Sequence, residues 1–186
     1  MTDIMQRVSP ALALFAYRAL QDSHRLGIKQ LFFIAREGIF LKAVFSHMTK
    51  QFPELQKLFP HNKQFKVLYT SRSASIVGRY AKPDNIADIL QPLTLTAHKL
   101  TLKNLLRTWN VSIQDFSHTT QELLLRHINE SKYDALSQLI YDTDFGKEFD
   151  RILTQKQDCF YQYLSQQGAL DHDKIALIDV GWHGTI

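Results

Sequence analysis

The sequence holds a single cysteine, Cys159, so it cannot close an internal disulfide, and this fits a reducing compartment. It has no apolar run near the roughly 20 residues that a bilayer-spanning helix needs, so no membrane span is expected. The opening "MTDIMQRVSP" lacks the positive region, apolar stretch and small-residue cleavage site of a signal peptide. Together these absences make the cytoplasm the expected location. Lys and Arg outnumber Asp and Glu by 22 to 18, giving a net charge of +4, yet no block of five or more basic residues occurs. Basic residues scattered in this way argue against a nucleic-acid partner and suit anionic small ligands. No internal repeat and no low-complexity linker divides the chain.

What is present is an alternation of helical and strand patterns. Ser9-Pro10 reads as an N-cap with proline at the first helical position, and Leu12, Phe15, Ala16, Ala19 and Leu20 follow at helical spacing. Gly27 supplies the stop. "IKQLFFIA" is a short apolar run suited to a strand buried on both faces, "REG" a tight turn, and "IFLKAVFSHMTKQF" a second helix. After a loop marked by Pro60 and Asn62, "FKVLYT" reads as a second strand, and "SRSASIVGRY" turns away from its end. From Pro83 to Leu170 only helical patterns occur. Asp84 or Asn85 can cap "IADIL", Thr101 can cap "LKNLLRTW", and Thr119 with Glu122 has capping-box spacing ahead of "LLLRHI". Asp144 opens a long helix with Phe145, Phe149, Ile152 and Leu153 on one face, extended by Phe160 and Tyr163 and ended by Gly168. "KIALID" is the third strand.

Strands separated by helices predict a parallel sheet covered by helices. The expected fold is α/β, a Rossmann-like three-layer arrangement with a short parallel sheet and a large helical insertion. One domain over 1–186 is expected, with its sheet core at about 9–80 and 171–186 and a helical cap or subdomain at about 83–170. A helix after Thr185 would begin where the chain stops, which reads as a chain truncated at its C-terminus.

In an open parallel sheet, ligands bind beyond the carboxyl ends of the strands. The first strand end presents Arg36, Glu37 and Gly38; the second Thr70, Ser71, Arg72 and Ser73; the third Asp179, Gly181, Trp182, His183, Gly184 and Thr185. Charged residues directly after buried strands are costly in a core, so the edge of a cleft is their natural place. Arg36 and Arg72 offer bidentate donors for phosphate or carboxylate, or each pairs with Glu37 or Asp179 for stability. Gly181 and Gly184 permit close backbone approach to an anion, with a hydroxyl from Thr185. The plainer alternative is a strand-to-helix turn capped by Asp179 or Thr185. Glu37 and Asp179 suit acid–base work or a shared Mg²⁺ ion, although two carboxylates beside two arginines are more often charge compensation. His183 can titrate near neutral pH and Trp182 can stack on a sugar or base, or the indole packs on the sheet edge while His183 faces solvent. The other histidines show no metal-ligand spacing. Cys159, inside a helix without an adjacent basic partner, reads as a packing residue. No nucleophilic triad is supported.

Taken together, "GIKQLFFIAREGIFL", "LYTSRSA" and "ALIDVGWHGTI" resemble a family of uncharacterised bacterial proteins associated with surface-polysaccharide synthesis. In these, the module follows a haloacid dehalogenase-like (HAD) phosphatase domain. The family pattern is strand-R-[DE]-G, strand-S-R and strand-D-x-G-W-x-G. Arg36, Glu37 and Gly38 match the first element, Ser71 and Arg72 the second, and Asp179, Gly181, Trp182 and Gly184 the third. The resemblance implies a HAD-like fold and a phosphorylated or nucleotide-linked sugar as ligand. Phosphatase activity does not carry over, because Ala35 and Arg36 stand where the nucleophile motif needs an Asp. A likeness to phosphoribosyltransferases is weak, since only Asp179 stands where two adjacent acids are expected. The expected function is binding, with hydrolysis or transfer at phosphate if catalytic. Asp179, Glu37 and His183 are the catalytic candidates and Asp179 the Mg²⁺ ligand. The alternative is a non-catalytic module that binds a biosynthetic enzyme or a second copy of itself.

Overall fold

Each short apolar run becomes a strand in the computed structural model, which describes residues 2–59, 64–78, 80, 101–141 and 143–180. β1 (Gln30–Ile34), β2 (Phe65–Leu68) and β3 (Ile175–Ile178) form a three-stranded parallel sheet with β1 in the middle. Phe33 of β1 lies in register with Val67 on one side and Ile178 on the other. All five residues of β1 are buried, as a parallel strand flanked on both sides requires. The remaining regular structure among the described residues is helical, so the fold is α/β with a small open parallel sheet. None of these helices is long and apolar enough to cross a membrane.

The chain forms two compact units, one from the described residues of Met1–Thr70 and Leu164–Thr185, the other from those of Ser71–Tyr163. In the first, α1 (Thr2–Arg25), α2 (Glu37–Gln51) and α3 (Pro53–Leu58) pack together over the sheet face that carries Leu31, Phe33, Phe65 and Ile178. Phe33 is fully buried and meets Phe45 edge-on at 5.0 Å and Phe65 at 5.8 Å. Such edge-to-face pairs add roughly 0.5–1.5 kcal/mol each to the area they bury. Lys66, in register with Phe32, points to the opposite face, and its Nζ donates to the carbonyl of Gln167 at 2.8 Å.

α1 departs from the sequence expectation. It begins at Thr2, so Ser9-Pro10 lies inside it and does not start it. Proline has no N–H, and α1 therefore forgoes the bond to the carbonyl four residues earlier. Its end is as expected: Gly27 has φ +70°, Ile28 N–H bonds the Ser23 carbonyl at 2.8 Å, and Gly27 N–H bonds that of His24 at 3.0 Å. Gly168, at φ +75°, repeats this closure with Leu164 and Ser165.

The second unit contains α4 (Arg72–Gly78), α5 (Leu102–Thr108), a 3-10 turn at Ile113–Asp115, α6 (His118–His127), α7 (Tyr133–Tyr141) and most of α8 (Asp144–Gln166). Thr101 caps α5 as expected, its hydroxyl accepting from Asn104 N–H at 3.2 Å. α6 is capped by Ser117, and Thr119 lies inside the helix, which corrects the capping-box assignment. The reason is tertiary: a carboxylate from α8 reaches Ser117. The core gathers Leu105, Trp109, Leu124, Leu136 and, from α8, Phe145, Phe149, Ile152 and Leu153. Tyr80 stands edge-on to Trp109 at 5.6 Å and donates to Asp150 Oδ1 at 2.6 Å. Burial first, then the Asp150 hydrogen bond and charge, raise the phenol's pKa, so Tyr80 keeps its proton.

Truncation of Phe33 to Ala is expected to cost about 3–5 kcal/mol in urea unfolding, because a fully buried ring and both edge-to-face pairs are lost at once. A cost under about 1 kcal/mol would show that the site collapses freely around the gap.

Candidate functional site

Because the strands are parallel, their carboxyl ends share one end of the sheet. At β1 only Ala35 and Arg36 separate strand from helix, Arg36 being already helical at φ −94° and ψ −36°. Gly38 makes this turn possible. A Cβ there would stand 2.5 Å from the carbonyl carbon of Phe33, so a bare Cα lets α2 lie directly on the strand backbone. Gly38 is buried and therefore acts on a ligand only by placing Arg36 and Glu37, both of which are exposed. Glu37 lies in the first turn of α2, where a negative charge is favourable.

At β2, the carbonyl of Leu68 accepts two N–H groups, from Ala35 at 3.0 Å and from Thr70 at 3.2 Å, which ties the loop after β1 to the end of β2. Thr70 follows β2 at the same end of the sheet at which Arg36 follows the neighbouring β1. Among the described residues, the buried Thr70 hydroxyl has no hydrogen-bond partner. Since buried polar groups are nearly always paired, an orphan of this kind calls for a missing partner. At β3, Asp179 follows the strand directly, is partly exposed, and by the same register lies level with Ile34.

The structure thus brings Arg36, Glu37, Gly38 and Asp179 to one end of the first unit, together with Thr70, which the sequence places at the second strand end without assigning it a ligand role. Among the described residues no ion pair joins Arg36, Glu37 or Asp179. Ser71 and Arg72 belong to the second unit, where Ser71 Oγ accepts from Ala74 N–H at 3.2 Å at the start of α4. Gly181, Trp182, His183, Gly184 and Thr185 lie outside the described residues, as do the Pro60–Asn62 loop and the capping positions Asp84 and Asn85. Among the described residues, no three His, Cys, Asp or Glu side chains gather into a metal-ligand set.

A second polar cluster, unsignalled in the sequence, sits in the second unit. Glu148 of α8 accepts from Ser117 N–H at 2.7 Å, Ser117 Oγ at 2.6 Å and Thr120 Oγ1 at 2.5 Å. Desolvation works to raise its pKa. The hydrogen bonds from Ser117 and Thr120 and the charge of Arg151 outweigh that and hold the carboxyl below its ordinary value. Glu148 is thus the internal anion at the N-terminus of α6. It borders a polar groove of about 690 Å³ that Arg126 and Lys147 also line. No protein-family model, curated protein or solved structure matches this chain.

Glu148→Gln, which keeps only one of the two acceptor oxygens that Ser117 and Thr120 share, is expected to cost about 1 kcal/mol at pH 7 in urea unfolding. A carboxyl with a lowered folded-state pKa stabilises above its unfolded value and loses that contribution as pH falls through the folded one. The gap between wild type and variant should therefore close below about pH 4. A gap unchanged down to pH 3 would contradict the cluster.

Proposed function

We propose that the first unit binds an anionic sugar derivative, a phosphosugar or nucleotide-linked sugar, at the carboxyl ends of its parallel strands. The observation that carries this is that two groups without partners among the described residues, the exposed guanidinium of Arg36 and the buried hydroxyl of Thr70, follow neighbouring strands at one end of the sheet. A guanidinium takes phosphate oxygens in bidentate fashion, and a buried hydroxyl gains a hydrogen bond only when a ligand group reaches it. Asp179 and Glu37 are the groups for acid–base work, with hydrolysis or transfer at phosphate as the reaction. Mg²⁺ suits their hard oxygens when it keeps water and ligand phosphate in its shell, since no three-carboxylate set exists among the described residues. The motif resemblance adds a HAD-like, Rossmann-like identity and a setting in surface-polysaccharide synthesis, with Trp182 and the 181–185 loop as further ligand contacts. β1 runs out through Ala35 and Arg36, so its end supplies no aspartyl nucleophile.

A second reading has one observation in its favour. β3 pairs only with β1 among the described residues, and Leu177 and Val180 are about half exposed, at 51% and 50%. An open strand edge with apolar side chains can accept a strand from a protein partner, which is the non-catalytic alternative.

Thermal unfolding with glucose 1-phosphate, UDP-glucose and inorganic phosphate, each with and without Mg²⁺, separates the two. Saturating ligand at about 100 Kd adds roughly 2.7 kcal/mol, or about 5–10 °C for a chain of this size. Arg36→Ala and Asp179→Asn should each abolish most of that shift while leaving the unliganded melting temperature within about 1 °C, as for surface substitutions. An unchanged ligand response in both variants would sink the proposal. Thr70→Val gives opposite signs in one variant. It should stabilise the free protein by about 1 kcal/mol, by removing an unpaired buried hydroxyl, and weaken the phosphosugar about fivefold. A destabilised free protein would mean that Thr70 has an internal partner.

A further inference from the structure

The second unit holds a cleft of about 440 Å³, within the range of small-ligand sites. One face of α8 forms its length, with Arg151, Ile152, Gln155, Lys156, Cys159 and Phe160 recurring at helical spacing, and Ala74 and Val77 of α4 stand opposite. The floor is apolar and fixed, because Val77 is 3% and Ile152 4% exposed. Phe160 is the side wall. Its ring packs closely on Gly78, where even a Cβ would come within 2.6 Å of a ring carbon.

The charges above this floor do not cancel. Lys156 is paired with Asp115 at 3.4 Å, whereas among the described residues the Nη1 of Arg151 donates only to the neutral Oε1 of Gln155, at 3.1 Å. Arg151 does act at a distance on Glu148, but that carboxylate is bound by Ser117 and Thr120. Among the described residues, the cleft therefore offers one guanidinium with free donors above an apolar floor and an aromatic wall. We propose that it is a binding site, separate from the strand-end site, for a small molecule that joins one anionic group to a flat apolar body. Arg151 takes the anion in a forked hydrogen bond, and Phe160, Ile152 and Val77 cover the body.

Cys159 lines this cleft and is the only cysteine of the chain, which makes its thiol a reporter of occupancy. The rate of Cys159 alkylation by iodoacetamide should be followed on the full chain, with naphthalene-2-sulfonate as the probe. The expected result is saturable slowing by about fivefold, half-complete at roughly millimolar probe or below. Arg151→Glu, at an exposed position, should raise that midpoint about tenfold or more with an unchanged helical circular dichroism spectrum, and neutral 2-naphthalenemethanol should protect about tenfold more weakly. Alkylation indifferent to the probe would overturn the proposal. So would protection that survives Arg151→Glu, or equal protection by the neutral compound, because either would mean adsorption to an apolar surface without an anion site.

Discussion

The contact between the bare Cα of Gly38 and the carbonyl group of Phe33 sets the geometry of the first unit. Because α2 can lie directly on β1, the chain leaves the strand and enters the helix across two residues, and Arg36 and Glu37 are held at the rim. The same strand residue anchors the layer beneath, where the ring of Phe33 meets Phe45 and Phe65 and joins α2 to both β1 and β2. Backbone and ring together make Phe33 the meeting point of strand, helix and rim. A packed core transmits such constraints because its parts cannot shift independently.

In the second unit, α8 plays the corresponding part. One stripe of it supplies Phe145, Phe149, Ile152 and Leu153 to the core. Asp150 secures Tyr80, Gln157 donates to the carbonyls of Gly78 and Tyr80, and Glu148 holds the start of α6. These bonds fix α4 and α6 against one long helix, so the cleft beside Arg151 has rigid walls.

The strands were legible because each is a short apolar run bounded by charge, and their parallel order follows from the helices between them. Gly27, Gly168, the Thr101 cap and the buried face of α8 were also legible, since each depends on residues close in sequence. What escaped depends on distance. Glu148 lies 31 residues from Ser117, so Thr119 with Glu122, a complete local pattern, was the only cap in view. Ser9-Pro10 misplaced the start of α1 because a proline signature at a helix start says nothing of helix already formed before it. At the strand ends, residue type told that Arg36, Glu37 and Asp179 belong at an edge, but not that they stand without ion pairs among the described residues. Sequence put Thr70 at a strand end but could not tell that its hydroxyl is sealed without a partner among the described residues.

The two left-handed glycines that launch β1 and β3 are alike in backbone yet unequal in surroundings. Nothing lies within 4 Å of a side chain added at Gly27, whereas at Gly168 it would meet Asp171 at 2.9 Å and the Lys66 ammonium at 3.1 Å. Yielding at Gly168 would pull Lys66 off the Gln167 carbonyl that it now holds at 2.8 Å. The doorway into the central strand is therefore free to accept asparagine for the modest expense of its backbone, while the doorway into the outer strand accepts it only if the Asp171 carboxylate and the Lys66 ammonium also give way.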